Sequence, residues 1–384
     1  MKNLIRAATV AVGLALTAGA ARADITVGFV TSLSGSGASI GIPYGRGIDA
    51  AYLYADSIGG QKIKLIKLDD GTDPSIASRD ARKLIEEDKV DLLLGTATTP
   101  STIAMMAVAD ELKVPMIAVS PIPTPAAPVA DRWGISIVQP PPLMVSVPVD
   151  RMVRDGVKTV AFIGFSDAWG DLVYSGAKAA ADAGKIKLVA TERYARTDTS
   201  VTGQALKIFA AHPDAVLIGG SGTQGALPEL ALAQLGYHGK FYGTPALLNP
   251  DFIRVGGKAV DGIVVSAGPV IVAEQLPDTH FGKKLALAFR AAYLKATGKE
   301  TTDGFSAYSF DAWMVFLDAA KRALAIAQPG TTAFRTALKD AILSTKDVAG
   351  VHAIYNCHPG QTFCVDERGL VLVRLEDGKW IYQP

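Results

Sequence analysis

Residues 92–112 read LLLGTATTPSTIAMMAVADEL. Leu92 to Gly95 make a short apolar strand, the residues from Ser101 onward make a helix, and the turn between them is almost wholly hydroxyls: Thr96, Thr98, Thr99, Ser101 and Thr102. No His, Cys or acid stands among them. A strand ending in glycine and followed by hydroxyls and a helix start directs backbone N–H groups and Thr/Ser side chains into the crevice at the strand's carboxyl end. Such a helix start carries partial positive charge and holds an anion without a counter-residue. Capping by Ser101 or Thr99 is the ordinary use of such residues, but a cap needs one hydroxyl and this turn offers five.

Outward from this stretch the chain alternates strand-like and helix-like segments. ITVGFV and KIKLIKL read as strands; YGRGIDAAYLYADSIGG carries Ile48, Ala51, Tyr52 and Ala55 on one helical face. DPSIASRDARKLIEEDKV opens with an Asp cap and Pro74 in the first turn, favourable helix-start chemistry. PMIAV is the next strand. The alternation predicts a parallel sheet covered by helices on both faces. The same rhythm resumes after QPPPLMV, from KTVAFIG through GIVVSA, so a second α/β domain of similar size is expected. Gln139 to Pro142 is stiff and poor in donors, which suits a crossing between domains. A third, mostly helical block spans roughly 279–297, 305–327 and 331–344. GLVLVRLEDGKWIY closes the chain as a hairpin around Asp377-Gly378.

The composition of the 384 residues is ordinary for a globular protein, 49% hydrophobic and 20% charged, and a net charge of +1 suggests neither nucleic acid nor an anionic membrane surface as partner. Lys2 and Arg6 precede the apolar run AATVAVGLALTAGA, which ends in Ala21-Arg22-Ala23. This is the pattern of a secretory signal peptide over residues 1–23, with the mature chain starting at Asp24. Its removal leaves 35 basic against 37 acidic residues. The apolar run is short of the roughly 20 residues a membrane span needs, and membrane insertion is not expected. The only two cysteines, Cys357 and Cys364, lie close together, and in an oxidising compartment they are expected to form a disulfide closing a small loop. His352 and His358 are nearby, but the spacing matches no standard zinc pattern.

Enzyme signatures are missing. The turn TSLSGSGASIG has Gly35 and Gly37 at dinucleotide-loop spacing, but Ile40 stands where the third glycine belongs. There is no phosphate loop, no H-E-x-x-H and no G-x-S-x-G elbow. The five histidines fall near expected loops or surface ends. Asp69 to Asp73, DDGTD, reads as a strand end leading into an Asp-capped helix rather than as a metal loop. No catalytic residue, cofactor or metal is expected.

Four phrases carry a family resemblance: residues 44–102, VPMIAVSP (114–121), DAWGDLVYSGAKAA (167–180) and FSAYSFDAWMVFLDAA (305–320). In this order and spacing they resemble the periplasmic solute-binding proteins of branched-chain amino acid type ABC transporters, over nearly the whole mature chain. The resemblance implies a type I binding-protein fold: two doubly wound α/β lobes, three crossing segments and a ligand in the cleft between. On that pattern the first lobe holds residues 24–142 and 270–328 and the second 143–269 and 329–384. The crossings fall near Gln139–Leu143, Ser266–Val270 and Ala327–Thr331.

The resemblance also implies site residues. The hydroxyl that takes a ligand carboxylate falls on Thr99, beside Thr98, and a stretch facing the same carboxylate falls on Ser120 to Ile122. The aromatic wall after the first strand falls on Ile40, the second lobe's aromatic on Trp169, and a further side-chain position on Ser221. Phe305 and Tyr308 open the late helix. The family's acid for a ligand ammonium should follow KFYG, where this chain has Thr244, Pro245 and Ala246. A buried ammonium without an acid costs several kcal/mol, so a carboxylate with an apolar or aromatic body is expected instead of an amino acid. The implied role is a monomeric, non-catalytic periplasmic receptor that delivers this carboxylate to ABC permease subunits, resembling the branch that binds aromatic acids. Branched-chain amino acid or amide binding, and a ligand sensor of the same fold, are the alternatives.

Overall fold

The computed structural model describes residues 24–124, 131–358 and 360–384; the segment read as a signal peptide lies outside them. The first sheet contains β1 (Ile25–Thr31), β2 (Ser57–Ile58), β3 (Gln61–Asp69), β4 (Leu92–Gly95), β5 (Met116–Ala118) and β6 (Gly134–Ser136), in the order β2-β3-β1-β4-β5-β6. All its pairings are parallel except the β2–β3 hairpin. Between these strands run α1 (Ala38–Tyr54), α2 (Pro74–Glu86) and α3 (Thr99–Leu112). Strand β4 shows why the sheet is double-faced. Leu92 and Leu94 join the core formed with Ile48 of α1, whereas Leu93 joins a separate core with Leu84 of α2 and Met105 of α3. Successive side chains point to opposite faces, so an unbroken leucine run belongs where helices cover both.

The second sheet contains β7 (Thr159–Phe165), β8 (Lys187–Tyr194), β9 (Ala215–Gly219), β10 (Lys240–Gly243) and β11 (Val264–Ala267). A small hairpin, β12 (Val348–Ala349) with β13 (Ile354–Tyr355), precedes its last strands, β14 (Val371–Glu376) and β15 (Lys379–Gln383). The order is β15-β14-β11-β10-β9-β7-β8, with antiparallel pairing only at β11–β14 and β14–β15. Asp377 and Gly378 both have positive φ, which fits the twist of a tight two-residue hairpin. The helices here are α4 (Pro141–Arg154), α5 (Ala168–Asp182), α6 (Thr202–Ala210), α7 (Leu227–Gln234) and α8 (Pro250–Gly256).

The helical block, α9 (Lys283–Thr297), α10 (Ser306–Ala323) and α11 (Thr332–Leu343), returns to the first sheet's side. α9 and α10 pack on α1, and α11 packs on α10 and β6. At Gly47 a Cβ would stand 2.0 Å from the Ser306 carbonyl oxygen, so α1 and α10 meet with no room for a side chain between them.

The expected third crossing at Ala327–Thr331 is corrected. Gly330 N donates to Asp91 Oδ1 at 2.7 Å, holding this turn to the residue just before β4, and Thr331 caps α11 through Phe334 N. Further on, Phe363 bridges Ser136 as an extra parallel rung beside β6. The chain therefore passes to the second sheet only between Phe363 and Val371, and residues 329–363 do not lie with the second lobe. Pro329-Gly330 serves as turn chemistry between two packed helices, a role that linker-like composition does not distinguish from a crossing. Cys357 and Cys364 are joined in a disulfide. Among the described residues no helix is long and apolar enough to cross a membrane, and no group of three or more His, Cys, Asp or Glu could hold a metal ion.

Candidate functional site

At the carboxyl ends of β4 and β5 the chain breaks from the sheet, and there the hydroxyl-rich turn takes shape. Gly95 has φ +132°, and a Cβ on it would fall 2.1 Å from Val30 O; only glycine fits this close approach at that backbone angle. Two of the five hydroxyls fix the turn. Thr96 Oγ1 donates to buried Asp70 Oδ2 at 2.7 Å, and Thr102 Oγ1 donates to Thr98 O at 2.8 Å. The acids of DDGTD have structural partners as well. Asp69 accepts from Leu33 N, Ser34 N and Gly71 N, Asp70 from Ser32 Oγ and Thr72 N, and Asp73 caps α2 through Ser75 N and Ile76 N.

The other three hydroxyls cap nothing. Thr98 is the N-cap of α3 in extended conformation, yet no side chain caps this helix. Neither Thr98 nor Thr99 uses its hydroxyl within the described residues, and Ser101 Oγ is buried without a partner among them. Capping by Ser101 or Thr99 is thus not what these residues do.

Thr98 and Thr99 form one wall of a cleft between the two sheets, with about 450 Å³ of empty space partly open to solvent. Ala97, Ser120, Pro121 and Val138 continue that wall from the first lobe. Ile40 and Tyr44 of α1 and Phe305 and Tyr308 at the start of α10 supply an apolar and aromatic side, with the Tyr44 and Phe305 rings edge to face at 5.6 Å. The second lobe contributes Met144, Trp169, Arg196, Ser221, Pro245 and Ala246. The two lobes also touch beside the cavity, where Thr223 N donates to Ser39 Oγ at 3.3 Å. Burial raises the phenol pKa of both Tyr44 and Tyr308, so each stays protonated.

The cavity brings together Ile40, Thr98, Thr99, Ser120, Trp169, Ser221, Pro245, Phe305 and Tyr308, but neither Thr244 nor Ile122. The Ile122 side chain is buried in the α2/α3 core with Val30 and Met106. β5 ends at Ala118, so beyond it strand alternation no longer tells which side chains face the cleft, and Pro121 lines the cavity instead.

Arg196 is the residue that sequence reasoning missed, and the one charged side chain of the lining among the described residues. It lies two residues past β8, and its guanidinium sits over the Phe165 ring at 4.1 Å. Nε and Nη2 donate to Asp167 Oδ2 at 3.1 and 2.7 Å, while Nη1 donates to Ser221 Oγ at 2.8 Å. Asp167 is fixed by a second duty, since its Oδ1 accepts Trp169 N and Gly170 N and caps α5. The signal that would have found Arg196 is positional: ligands of open α/β sheets lie beyond the strands' carboxyl ends, and Arg196 stands at one.

His352, expected near a surface end, is instead buried. Its Nε2 lies 3.2 Å from Gly304 O, its ring centroid is 4.0 Å from that of Tyr308, and burial pushes its pKa down to about 3. It lies behind the cavity wall and is neutral.

The cavity can therefore do two things: hold an apolar body on several sides, and offer hydrogen-bond donors at each lobe. Among the described residues its lining contains no acid and no nucleophile–base pair.

The model for the family described as periplasmic binding protein matches residues 24–370. An extracellular ligand-binding receptor from Rhodopseudomonas palustris is 38% identical and superposes with a TM-score of 0.89, covering 94% of this chain and 99% of that one. An amino acid binding protein of Pseudomonas aeruginosa is 26% identical over 300 residues, 76% of each chain. At 22% identity, an R. palustris solute-binding protein of an ABC transporter, solved in complex with benzoate, shares the fold with a TM-score of 0.75 over 94% of this chain and 95% of that one. The chain belongs to the periplasmic binding protein family and has its type I fold.

Proposed function

We propose that the protein is a periplasmic receptor that closes on a small monocarboxylate with an aromatic body and delivers it to an ABC importer. The observation that carries this reading is the acid-free lining. Pro245 and Ala246 line the cavity where the resemblance places an acid for a ligand ammonium. An amino acid bound here would bury its ammonium unpaired, at a cost of several kcal/mol. A carboxylate finds the Thr98 and Thr99 hydroxyls and the uncapped start of α3, with Ser120 beside them. Ile40, Trp169, Phe305 and Tyr308 suit a flat apolar body, and Ser221 adds a polar contact. The benzoate complex of a protein with this fold supports the ligand class. Export follows from residues 1–23 read as a signal peptide, and capture follows from hinge closure, with contacts made only in the closed form setting the equilibrium.

Thermal-shift and calorimetric screening of benzoate and hydroxycinnamates against leucine, isoleucine and valine tests the reading. An aromatic acid at about 100 times its dissociation constant should add roughly 2.7 kcal/mol of stability, and the amino acids little. Stabilisation by leucine without any by aromatic acids would overturn it and favour the amino acid reading, which the name of the P. aeruginosa relative suggests.

A further inference from the structure

We infer that Arg196 and Ser221 form a second polar pole of the cavity, which selects aromatic acids carrying a neutral hydrogen-bond acceptor, such as a ring hydroxyl, on the part of the ligand away from its carboxylate. The inference rests on the proposed function, in which the carboxylate lies on the first-lobe wall at Thr98 and Thr99.

The hydrogen-bond inventory points to an acceptor. A guanidinium has five N–H groups. Three of those on Arg196 are taken, two by Asp167 and one by Ser221. Ser221 Oγ accepts from Arg196, and among the described residues it donates its own proton to none. Two spare N–H groups and one O–H therefore remain at a pole whose residues line the cavity, with the Arg196 side chain only 10% exposed. Buried donors without partners are costly, so a ligand group that accepts from them gains accordingly.

The charge balance makes that acceptor neutral. Asp167 pairs with Arg196, stands 21% exposed, and is locked in place by the α5 start it caps. The pole as a whole carries no net charge. A carboxylate there would meet a cation already neutralised, within reach of the Asp167 carboxylate, whereas the α3 start has positive polarity and no acid in the cavity beside it. A phenolic or carbonyl oxygen accepts from Arg196 and Ser221 without that repulsion. Phe165 beneath the guanidinium and Trp169, whose Nε1 donates to Gly220 O at 3.3 Å, hold the pole's geometry from below and beside.

The test is a calorimetric panel on the full mature chain, using 3- and 4-hydroxybenzoate against 3- and 4-methylbenzoate, isosteres that lack the acceptor. At least one hydroxy acid should bind the wild-type protein about ten-fold more tightly than its methyl partner. That ratio should collapse toward one in Ser221→Ala and in Arg196→Met. Ser221→Ala keeps the Arg196–Asp167 pair, so the test stands even if Arg196→Met does not fold. If the aromatic acids bind but no hydroxy/methyl ratio exceeds about three-fold, the inference falls while the proposed function survives. A ratio that persists in the variants overturns it too, because some other group then reads the hydroxyl. Loss of all four acids in Arg196→Met, with 4-methylbenzamide still bound, would place the carboxylate at Arg196 and overturn the assignment of poles. Failure of every aromatic acid on the wild-type protein removes both the proposed function and this inference.

Discussion

Tyr308 Oη donates to Gln139 Oε1 over 2.5 Å, and Gln139 Nε2 donates to Gly369 O over 2.7 Å. Tyr308 lines the cavity, Gln139 lies in the first crossing and Gly369 in the last. One buried amide therefore ties the ligand wall to two of the segments about which the lobes would move. Tyr308→Phe leaves Gln139 Oε1 without its donor in a site closed to water. The expected loss is about 1–3 kcal/mol of unfolding free energy, the usual cost of an orphaned buried acceptor. Urea melts of the ligand-free protein would measure it, and an unchanged midpoint would show that the amide finds another partner.

The disulfide between Cys357 and Cys364 is expected to stabilise the edge of the first sheet. It closes a loop with a sequence separation of 7. That loop presents Thr362, whose carbonyl accepts Ser136 N at 2.8 Å and whose hydroxyl accepts Arg132 Nη1 at 2.6 Å. Chain-entropy arguments give roughly 2–3 kcal/mol for so short a loop. The double variant Cys357→Ser/Cys364→Ser should lose about that much, and the Ser136 amide should lose hydrogen-exchange protection more than amides of β1. Two thiols freely alkylated in the unreduced native protein would contradict the pairing itself.

His352 should make the protein acid-sensitive. Burial lowers its pKa to about 3, so the folded protein refuses a proton that the unfolded chain accepts below about 6.5. Stability from this group is complete above the unfolded value and is lost as pH falls from about 6.5 toward 3, by up to about 1.4 kcal/mol per pH unit. Asp311 works against it. Burial raises that carboxyl to about 7, so its own contribution falls as pH rises from about 4 to 7. Comparing wild type with His352→Gln, which can still donate to Gly304 O, removes the Asp311 contribution from the difference. Wild type should lose ground to the variant on acidification, and a difference independent of pH between 4 and 6.5 would show that His352 takes up its proton while folded.

What was legible in the sequence was local or periodic. The leucine run of β4, the Asp73-Pro74 helix start and the Asp377-Gly378 hairpin each state their structure within a few residues. The hydroxyl turn was legible as a cavity wall because a single turn between strand and helix carries five hydroxyl residues, more than capping needs. What was not legible depends on distant partners. Arg196 belongs to the cavity because Asp167 follows β7 and Ser221 follows β9, and only the sheet order brings the three strand ends together. The turn at Pro329-Gly330 stays with the first lobe because Asp91, far away in sequence, accepts its amide. Ile122 was placed by the family resemblance, which gives a stretch but not which of its side chains turn to the core, and His352 by reading an irregular segment as a surface one.

The roles of Thr99 and Trp169 can be separated with an acid and its amide. If the carboxylate lies at Thr98, Thr99 and the start of α3, Thr99→Val should cost about 1.5–3 kcal/mol of benzoate binding, the range for a hydrogen bond to a charged group. Folding should be nearly untouched, because the Thr99 hydroxyl neither caps α3 nor bonds elsewhere among the described residues. Trp169→Ala should also weaken binding, through lost apolar and stacking contact with the ligand body. Benzamide keeps the body and removes the charge. Thr99→Val should therefore hurt benzoate more than benzamide, whereas Trp169→Ala should hurt both alike. Titration calorimetry on the two variants with the two ligands decides between these outcomes. Equal losses for acid and amide at Thr99 would mean that the carboxylate is held elsewhere, with Arg196 as the next place to look, since among the described residues it is the one cationic side chain of the lining.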